Sequence, residues 1–170
     1  MASRPLDGLP VDISAPVEAE VFVVFHRDGG IWLTGPCGAA PWRIESHDRH
    51  PIELVRTLSN DALGAPLLVH STSWRWEHEA VVLSFLVVID PERAQGLESS
   101  AINRDDLARS TATDAPPAIA PSQVLEHALR HLSWLAQDDP VVKATLSAPW
   151  HDSLAGYVPE PFRQLDTEEV

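Results

Sequence analysis

The chain has 170 residues, of which 44% are apolar, so it is long enough and apolar enough to bury the core of one domain. This composition excludes a chain that is disordered along its whole length. Its 25 acidic side chains outnumber 12 basic ones, and the net charge of −13 at pH 7 disfavours binding to nucleic-acid backbones and anionic membranes. The single cysteine, Cys37, excludes an internal disulfide and a metal site built from thiolates.

No segment of the sequence predicts insertion into a membrane or export. The longest apolar run, residues 80–89, is much shorter than the roughly 20 residues that span a bilayer. The N-terminus lacks the continuous apolar stretch of a secretory signal. We therefore expect a cytoplasmic protein that does not contact membranes.

The first half of the chain predicts a β-hairpin followed by a helix. Residues 1–18 are predicted to be a flexible tail, because acidic residues and prolines interrupt them. Residues 20–26 are β-branched and aromatic, and the turn at 27–30 connects them to a second strand at 31–34. Glycine and proline interrupt residues 35–41, where no regular structure is expected. A helix is predicted over 51–63, because Pro51 suits a first turn and Gly64 suits a C-terminal end.

The second half predicts another hairpin, a long loop and a helix. Residues 67–76 and 80–89 are the two predicted strands, and the second is apolar on both faces, which favours a central position. Residues 90–121 contain several prolines, which is typical of a long loop. An apolar stripe predicts a helix over 124–136, followed by short helical segments at 140–147 and 152–155 and an acidic tail at 159–170. Together these elements predict an α+β fold, with a mixed sheet between helices, as one domain over residues 19–158.

The order of these elements, with an irregular loop leading from a hairpin into a helix, resembles that of the Nudix family. The motif of that family is G-x5-E-x7-R-E-U-x-E-E-x-G-U, where U is an apolar residue. If the arginine of the motif is placed on Arg56, Leu58 takes the apolar position. Asp48 then stands at the first glutamate and Asp61 at the second glutamate of the pair. The resemblance covers residues 20–136 and implies a Nudix-like sandwich.

The same segment departs from the motif where the chemistry of the family resides. Trp42 replaces the first glycine, Thr57 and Asn60 replace two glutamates, and Gly64 lies one residue late. In the family, glutamates on one helix face hold Mg²⁺ or Mn²⁺ against a diphosphate. Residues 57, 60 and 61 share a helix face here, but only Asp61 is anionic. The resemblance therefore implies at most a weak Mg²⁺ site at Asn60 and Asp61.

We therefore predict a Nudix-like domain that lacks the usual catalytic glutamates and binds a small molecule or a protein. The alternative is a divalent-metal-dependent hydrolase of a nucleoside diphosphate derivative, which would use Asn60 and Asp61 together with Asp48 or Glu53. Other catalytic motifs give no support for an enzyme, because the sequence contains neither a Gly-x-Ser-x-Gly motif nor a phosphate-binding Gly-x-x-x-x-Gly-Lys loop.

The ligand site predicted from the resemblance is a groove flanked by Trp42, Asp48 and Arg56. In the family the loop before the motif's helix faces the substrate, so Trp42 in place of glycine adds a large apolar wall there. An indole narrows a diphosphate site, and it can stack on a flat ligand or anchor another protein. We expect a neutral or cationic small molecule, or a protein surface, in preference to a polyphosphate.

A second candidate ligand site contains Trp74 and Trp76, which alternate with His70 and Thr72 along one predicted strand. The two indoles could form a stacking surface for a planar ligand, an exposed patch for a partner protein, or part of the core. Because the alternating residues Ser71, Ser73 and Arg75 are polar, we expect the tryptophan face to point inward.

A third candidate surface lies on the predicted helix 124–136. His127 and His131 are four residues apart, the spacing at which two imidazoles can share a metal ion. With Trp134 they form a stripe beside the apolar face, which favours packing against the sheet or against a partner protein. We predict a partner surface at His127, His131 and Trp134.

Overall fold

The computed structural model of the protein describes residues 15–46, 49–103 and 119–157. Most of the predicted N-terminal tail, most of the predicted long loop and the acidic C-terminal tail lie outside these residues. His47 and Asp48 also lie outside them. The predicted role of Asp48 in a ligand groove therefore stays a prediction.

The described part of the chain contains six β-strands and four α-helices, with a short 3₁₀ helix after the fifth strand. In chain order the elements are β1 (Val17–Arg27), β2 (Gly30–Thr34), β3 (Trp42–Ser46), α1 (Pro51–Leu63), β4 (Leu68–Glu77), β5 (Ala80–Val88), the 3₁₀ helix (Pro91–Ala94), β6 (Ser99–Ala101), α2 (Pro121–Asp138), α3 (Pro140–Thr145) and α4 (Ala148–Leu154).

The six strands form one mixed sheet in the order β4-β5-β1-β2-β6, and β3 pairs with the first half of β1. β1 and β5 are parallel, whereas the other strand pairs are antiparallel. β1 lies at the centre because its residues 19–25 are buried on both faces, as expected for a continuous β-branched and aromatic run. β4 and β6 lie at the two ends of this order.

Helices cover both faces of the sheet. α1 packs on one face, where Val55 meets alternate β1 residues such as Val21 and Val23. α2, α3 and α4 pack on the other face, where Leu129 and Leu132 belong to one cluster with Phe22. The predicted α+β class, with a mixed sheet and helices, is confirmed. None of the described helices is long and apolar enough to cross a bilayer.

Local signals predicted the long elements well, and the short strands were missed. Both predicted hairpins are present, and α1 has the predicted bounds. α2 begins three residues before the predicted start, at Pro121. β3 and β6 were not predicted, because each is short and is defined by its pairing with a distant strand. Trp42 is consequently the first residue of β3 and not a loop residue, and its half-buried indole packs against the core on the α1 side.

A β-bulge at Thr72 divides β4 into two halves. Ser71 pairs with Phe85 and Ser73 with Ser84, so Thr72 is an extra residue without its own partner on β5. The bulge reverses the alternation of side chains. His70 faces α2, whereas Trp74 points to the opposite face of the sheet.

The prediction that the tryptophan face points inward is wrong. Trp74 is 70% exposed and Trp76 is 61% exposed. Arg75 lies on the side of the sheet that faces α2 instead, and its guanidinium reaches Glu20 of β1 at 2.7 Å. A strand without a bulge would place His70, Trp74 and Trp76 on one face. The bulge at Thr72 puts His70 on one face and the two tryptophans on the other.

The fully buried position of Leu129 on the core face of α2 gives a stability prediction. Leu129→Ala should lower the free energy of unfolding by ~2–5 kcal/mol, because it leaves a cavity in a packed core. Val141→Ala in α3, where the side chain is 71% exposed, is the matched control and should cost less than about 0.5 kcal/mol. Urea unfolding of both variants measures the difference. Equal stabilities of the two variants would contradict the described orientation of α2.

Candidate functional site

A groove lies between the second half of β4 and the beginning of α2, and we call it the β4–α2 groove. Its volume is about 220 Å³. Both apolar and polar residues of the two elements line it. The lining residues are Ser73, Trp74, Arg75, Ile119, Gln123, Val124 and His127. The groove therefore contains one of the predicted ligand-binding tryptophans and one of the predicted partner-surface histidines.

Trp76 and Trp134 lie outside the lining of this groove. Trp76 projects from the same face of β4 as Trp74, two residues closer to the hairpin turn. Trp134 is 37% exposed on α2 and touches the ring of His131, with 6.2 Å between ring centroids. The lining of the groove thus includes Trp74 and His127, but neither Trp76 nor Trp134.

The cation of the groove, Arg75, is held in a network of ion pairs that crosses four strands. Its guanidinium lies 2.7 Å from Glu20, which is 1% exposed, and 2.7 Å from Glu77. Arg43 of β3 joins the same carboxylates, at 3.0 Å from Glu20 and 3.2 Å from Glu77, and also pairs with Glu18 at 3.1 Å. The network therefore contains three carboxylates and two guanidinium groups.

The ion pairs shift the pKa values of Arg75 and Glu77 in the directions that favour their charged forms. Burial alone would lower the pKa of Arg75, but hydrogen bonds to Glu20 and Glu77 outweigh it, and the pKa is raised. Burial alone would raise the pKa of Glu77, but hydrogen bonds from Arg43 and Arg75 outweigh it, and the pKa is lowered. Arg75 is therefore charged and already paired, and its charge is not free to hold an anionic ligand.

Three histidines connect β4 to α2 behind the groove. The rings of His127 and His131 are 4.8 Å apart between centroids, and the ring of His70 lies 5.9 Å from that of His131. The His127 ring donates a hydrogen bond to the backbone carbonyl of Thr72, the bulged residue. His70 Nε2 and His131 Nδ1 are buried and have no hydrogen-bond partner in the described part of the chain.

The pKa values of His70 and His127 are lowered from the ordinary value of a histidine. Burial lowers the pKa of His70, and the neighbouring His131 lowers it further. Burial and His131 also lower the pKa of His127, although the Thr72 carbonyl opposes this. Across residues 15–46, 49–103 and 119–157, no group of three or more His, Cys, Asp and Glu side chains is arranged to hold a metal ion.

The predicted Nudix-motif residues lie at a separate cavity of about 420 Å³ beside α1. Arg56 and Asn60 line it together with residues 66–69. Thr57 and Asp61 are exposed and are not among its lining residues. Trp42 is not among the residues that line this cavity, and the predicted groove of Trp42, Asp48 and Arg56 stays a prediction.

The residues beside α1 do not fit the divalent metal that the Nudix resemblance implies. Mg²⁺ prefers carboxylate oxygens, and this cavity offers the Asn60 amide next to the Arg56 guanidinium, which repels a cation. The carboxylate of Asp61 is not among the lining groups. No catalytic step is therefore assigned to a metal at this place.

A Ser–His contact occurs elsewhere, between His26 of β1 and Ser153 of α4, with 3.1 Å from Nε2 to Oγ. The Ser153 hydroxyl also lies 3.4 Å from the Gly29 carbonyl, to which it can donate a hydrogen bond. This contact fastens the β1–β2 turn to α4.

Sequence reasoning missed Ile119, which lies just before α2, and Gln123, which lies in its first turn. Gln123 accepts a hydrogen bond from the Ala120 backbone N–H through Oε1 at 2.9 Å, which is a local sign of a helix start. Its position in the groove depends on the packing of α2 against β4. No local pattern in the sequence carries that information.

Comparison with solved structures finds NrtR from Shewanella oneidensis, which is a Nudix-fold protein. The two structures superpose with a TM-score of 0.55 and 13% sequence identity, over 86% of this chain and 80% of that chain. The fold of this chain is distantly Nudix-like. At this level of identity the likeness concerns the fold and does not extend to a ligand or a reaction. No protein-family model matches the sequence, and no curated protein sequence matches it.

The lowered pKa values of His70 and His127 predict a loss of stability on acidification. Both groups take up protons more readily in the unfolded chain, near the ordinary value of 6.5, so the free energy of unfolding should fall as the pH drops through that value. His70→Gln should reduce this fall between about pH 7.5 and about pH 5.5. Urea unfolding across this range measures the effect.

The control for this experiment is His78→Gln, because the His78 side chain is 91% exposed. It should leave the pH dependence as it is in the parent protein. If His70→Gln and His78→Gln show the same pH dependence, burial of the histidines between β4 and α2 does not govern it.

Proposed function

We propose that this chain is a binding module with a Nudix-like sandwich fold, which holds its ligand in the β4–α2 groove at the edge of β4 where Trp74 lies. The ligand presents a flat neutral group, either as a small molecule or as part of a protein. The module is proposed to act in the cytoplasm and to bind without hydrolysis.

The observation that carries this proposal is the combination of groups in the groove. Ile119 and Val124 provide apolar lining from the α2 side, and Trp74 lines the groove at the edge of β4, where its indole is mostly exposed. Gln123 and His127 place polar atoms beside this lining. A concave apolar surface with a few polar groups is the usual form of a ligand site, and an indole face is well suited to stacking.

Charge favours a neutral or cationic ligand over a polyphosphate. Arg75 is the cation that lines the groove, and its guanidinium is paired with Glu20 and Glu77. An anion entering the groove therefore meets a guanidinium whose charge is already compensated. The net charge of −13 adds a general repulsion for anions.

The replacement of two glutamates by Thr57 and Asn60 supports binding over hydrolysis. The hydrolase alternative requires a carboxylate cluster that concentrates divalent metal against a diphosphate. At the α1 cavity the lining groups include Arg56 and Asn60, a donor set that suits such a metal poorly.

Titration with neutral planar probes, adenosine and indole, tests the proposal. Binding should shift the NMR signal of the Trp74 indole N–H, which is assigned by its absence in Trp74→Phe. Trp74→Ala should weaken binding by about tenfold or more, since stacking on an aromatic side chain contributes ~1–3 kcal/mol. Trp76→Ala is the matched control, because Trp76 is exposed on the same strand and does not line the groove.

Two results would contradict the proposal. Loss of binding in His131→Ala with normal binding in Trp74→Ala would move the site to the α2 surface at His131 and Trp134. Turnover of nucleoside diphosphate derivatives at ~1 s⁻¹ or faster with Mg²⁺ or Mn²⁺, the low end of ordinary enzyme rates, would favour the hydrolase alternative.

A further inference from the structure

We propose that the free edge of β4, next to the β4–α2 groove, binds an extended basic peptide as an added antiparallel strand. The peptide carries apolar side chains at alternating positions and lysine or arginine at its N-terminal end. This inference rests on the proposed function, because it names the class of partner that the groove and its surroundings accept.

The backbone of β4 provides the template for strand addition. β4 is an edge strand, and α2 is fastened to its first half through the contacts of His70 with His131 and of Thr72 with His127. Beyond the bulge, residues 73–77 pair with β5 on one side, and no strand from the described part of the chain pairs with their other side. Such an edge presents backbone N–H and C=O groups that an extended peptide can pair with.

The side chains around this free edge favour an apolar partner strand. Trp74 and Trp76 project from one face and are 70% and 61% exposed, so a strand added at this edge places alternate side chains beside the two indoles. Its intervening side chains point toward the opposite face, where Ile119 and Val124 line the groove. Both sets of side chains of the peptide thus meet existing apolar surface.

Charge complementarity selects a cationic peptide. The ion-pair network at this end of the sheet has one more carboxylate than guanidinium, and the exposed Glu79 follows in the hairpin turn. The N-terminus of an antiparallel added strand lies at the C-terminal end of β4, which is this acidic end. A second copy of the chain is disfavoured as the occupant, because two molecules with a net charge of −13 repel each other.

The test uses the full chain and a capped heptapeptide, Lys-Lys-Val-Thr-Val-Thr-Val, with binding measured by calorimetry and by the indole N–H signals of Trp74 and Trp76. The expected result is saturable binding that shifts both signals. A peptide with alternate backbone amides N-methylated should bind at least tenfold more weakly, because it cannot donate hydrogen bonds to the edge of β4. Replacing both lysines by glutamate should also weaken binding, and more so at low salt.

Protein variants separate this inference from the proposed function. Trp74→Ala and Trp76→Ala should each weaken binding of the peptide, whereas Trp134→Ala, on the exposed side of α2, should leave it unchanged. Adenosine and indole should be sensitive to Trp74→Ala alone. Thermal unfolding of each variant confirms that these exposed positions leave the fold intact.

Each other outcome overturns the inference in a recognisable way. Equal binding of the peptide and its N-methylated form shows that no strand is added. Binding of adenosine or indole without binding of the peptide contradicts the inference and leaves the proposed function standing, whereas failure of all probes contradicts both. Concentration-dependent dimerisation that shifts the Trp74 and Trp76 signals identifies a second copy as the occupant.

Discussion

The single extra residue in β4, Thr72, determines what the exposed surface of this protein presents. In a regular strand, every second side chain points to the same face. A bulge reverses this alternation, so residues an even number of positions apart on its two sides point to opposite faces. His70 is directed toward α2, and Trp74 and Trp76 are directed away from it. The carbonyl of the bulged residue then accepts a hydrogen bond from His127, which ties the bulge to α2.

Beyond the bulge, a buried ion pair keeps the strand in this orientation. Glu20 is 1% exposed, and removal of its partner Arg75 from the α2 side would leave a buried carboxylate with less compensation. The strand therefore cannot rotate to bury its indoles without breaking this pair. Exposure of two large apolar side chains is unfavourable in isolation, and a surface of this kind is typical of a binding site. The orientation of β4 after the bulge is therefore the cause of both features: it brings Arg75 to Glu20, and it exposes Trp74 and Trp76.

Much of the fold could be predicted from the sequence, because its long elements carry local signals. Pro51 and Gly64 mark both ends of α1, and the apolar stripe of α2 includes the buried Leu129. The bulge could not be predicted, since Thr72 fits a regular alternation as well as its neighbours do. The groove also escaped prediction, because it depends on how α2 packs on a strand about fifty residues earlier in the chain. The Nudix-motif resemblance indicated the fold, and the ligand groove at Trp42, Asp48 and Arg56 stays a prediction.

The orientation of the second half of β4 is the central claim, and thiol labelling tests it most directly. In a Cys37→Ser background, a cysteine is introduced by Trp74→Cys or by Thr72→Cys, and the rate of reaction with a small thiol reagent is measured in the folded protein. We expect the Trp74→Cys variant to react nearly as fast as the unfolded chain and the Thr72→Cys variant to be protected, because Thr72 is 8% exposed. Strong protection of both positions would contradict the bulge and, with it, the groove.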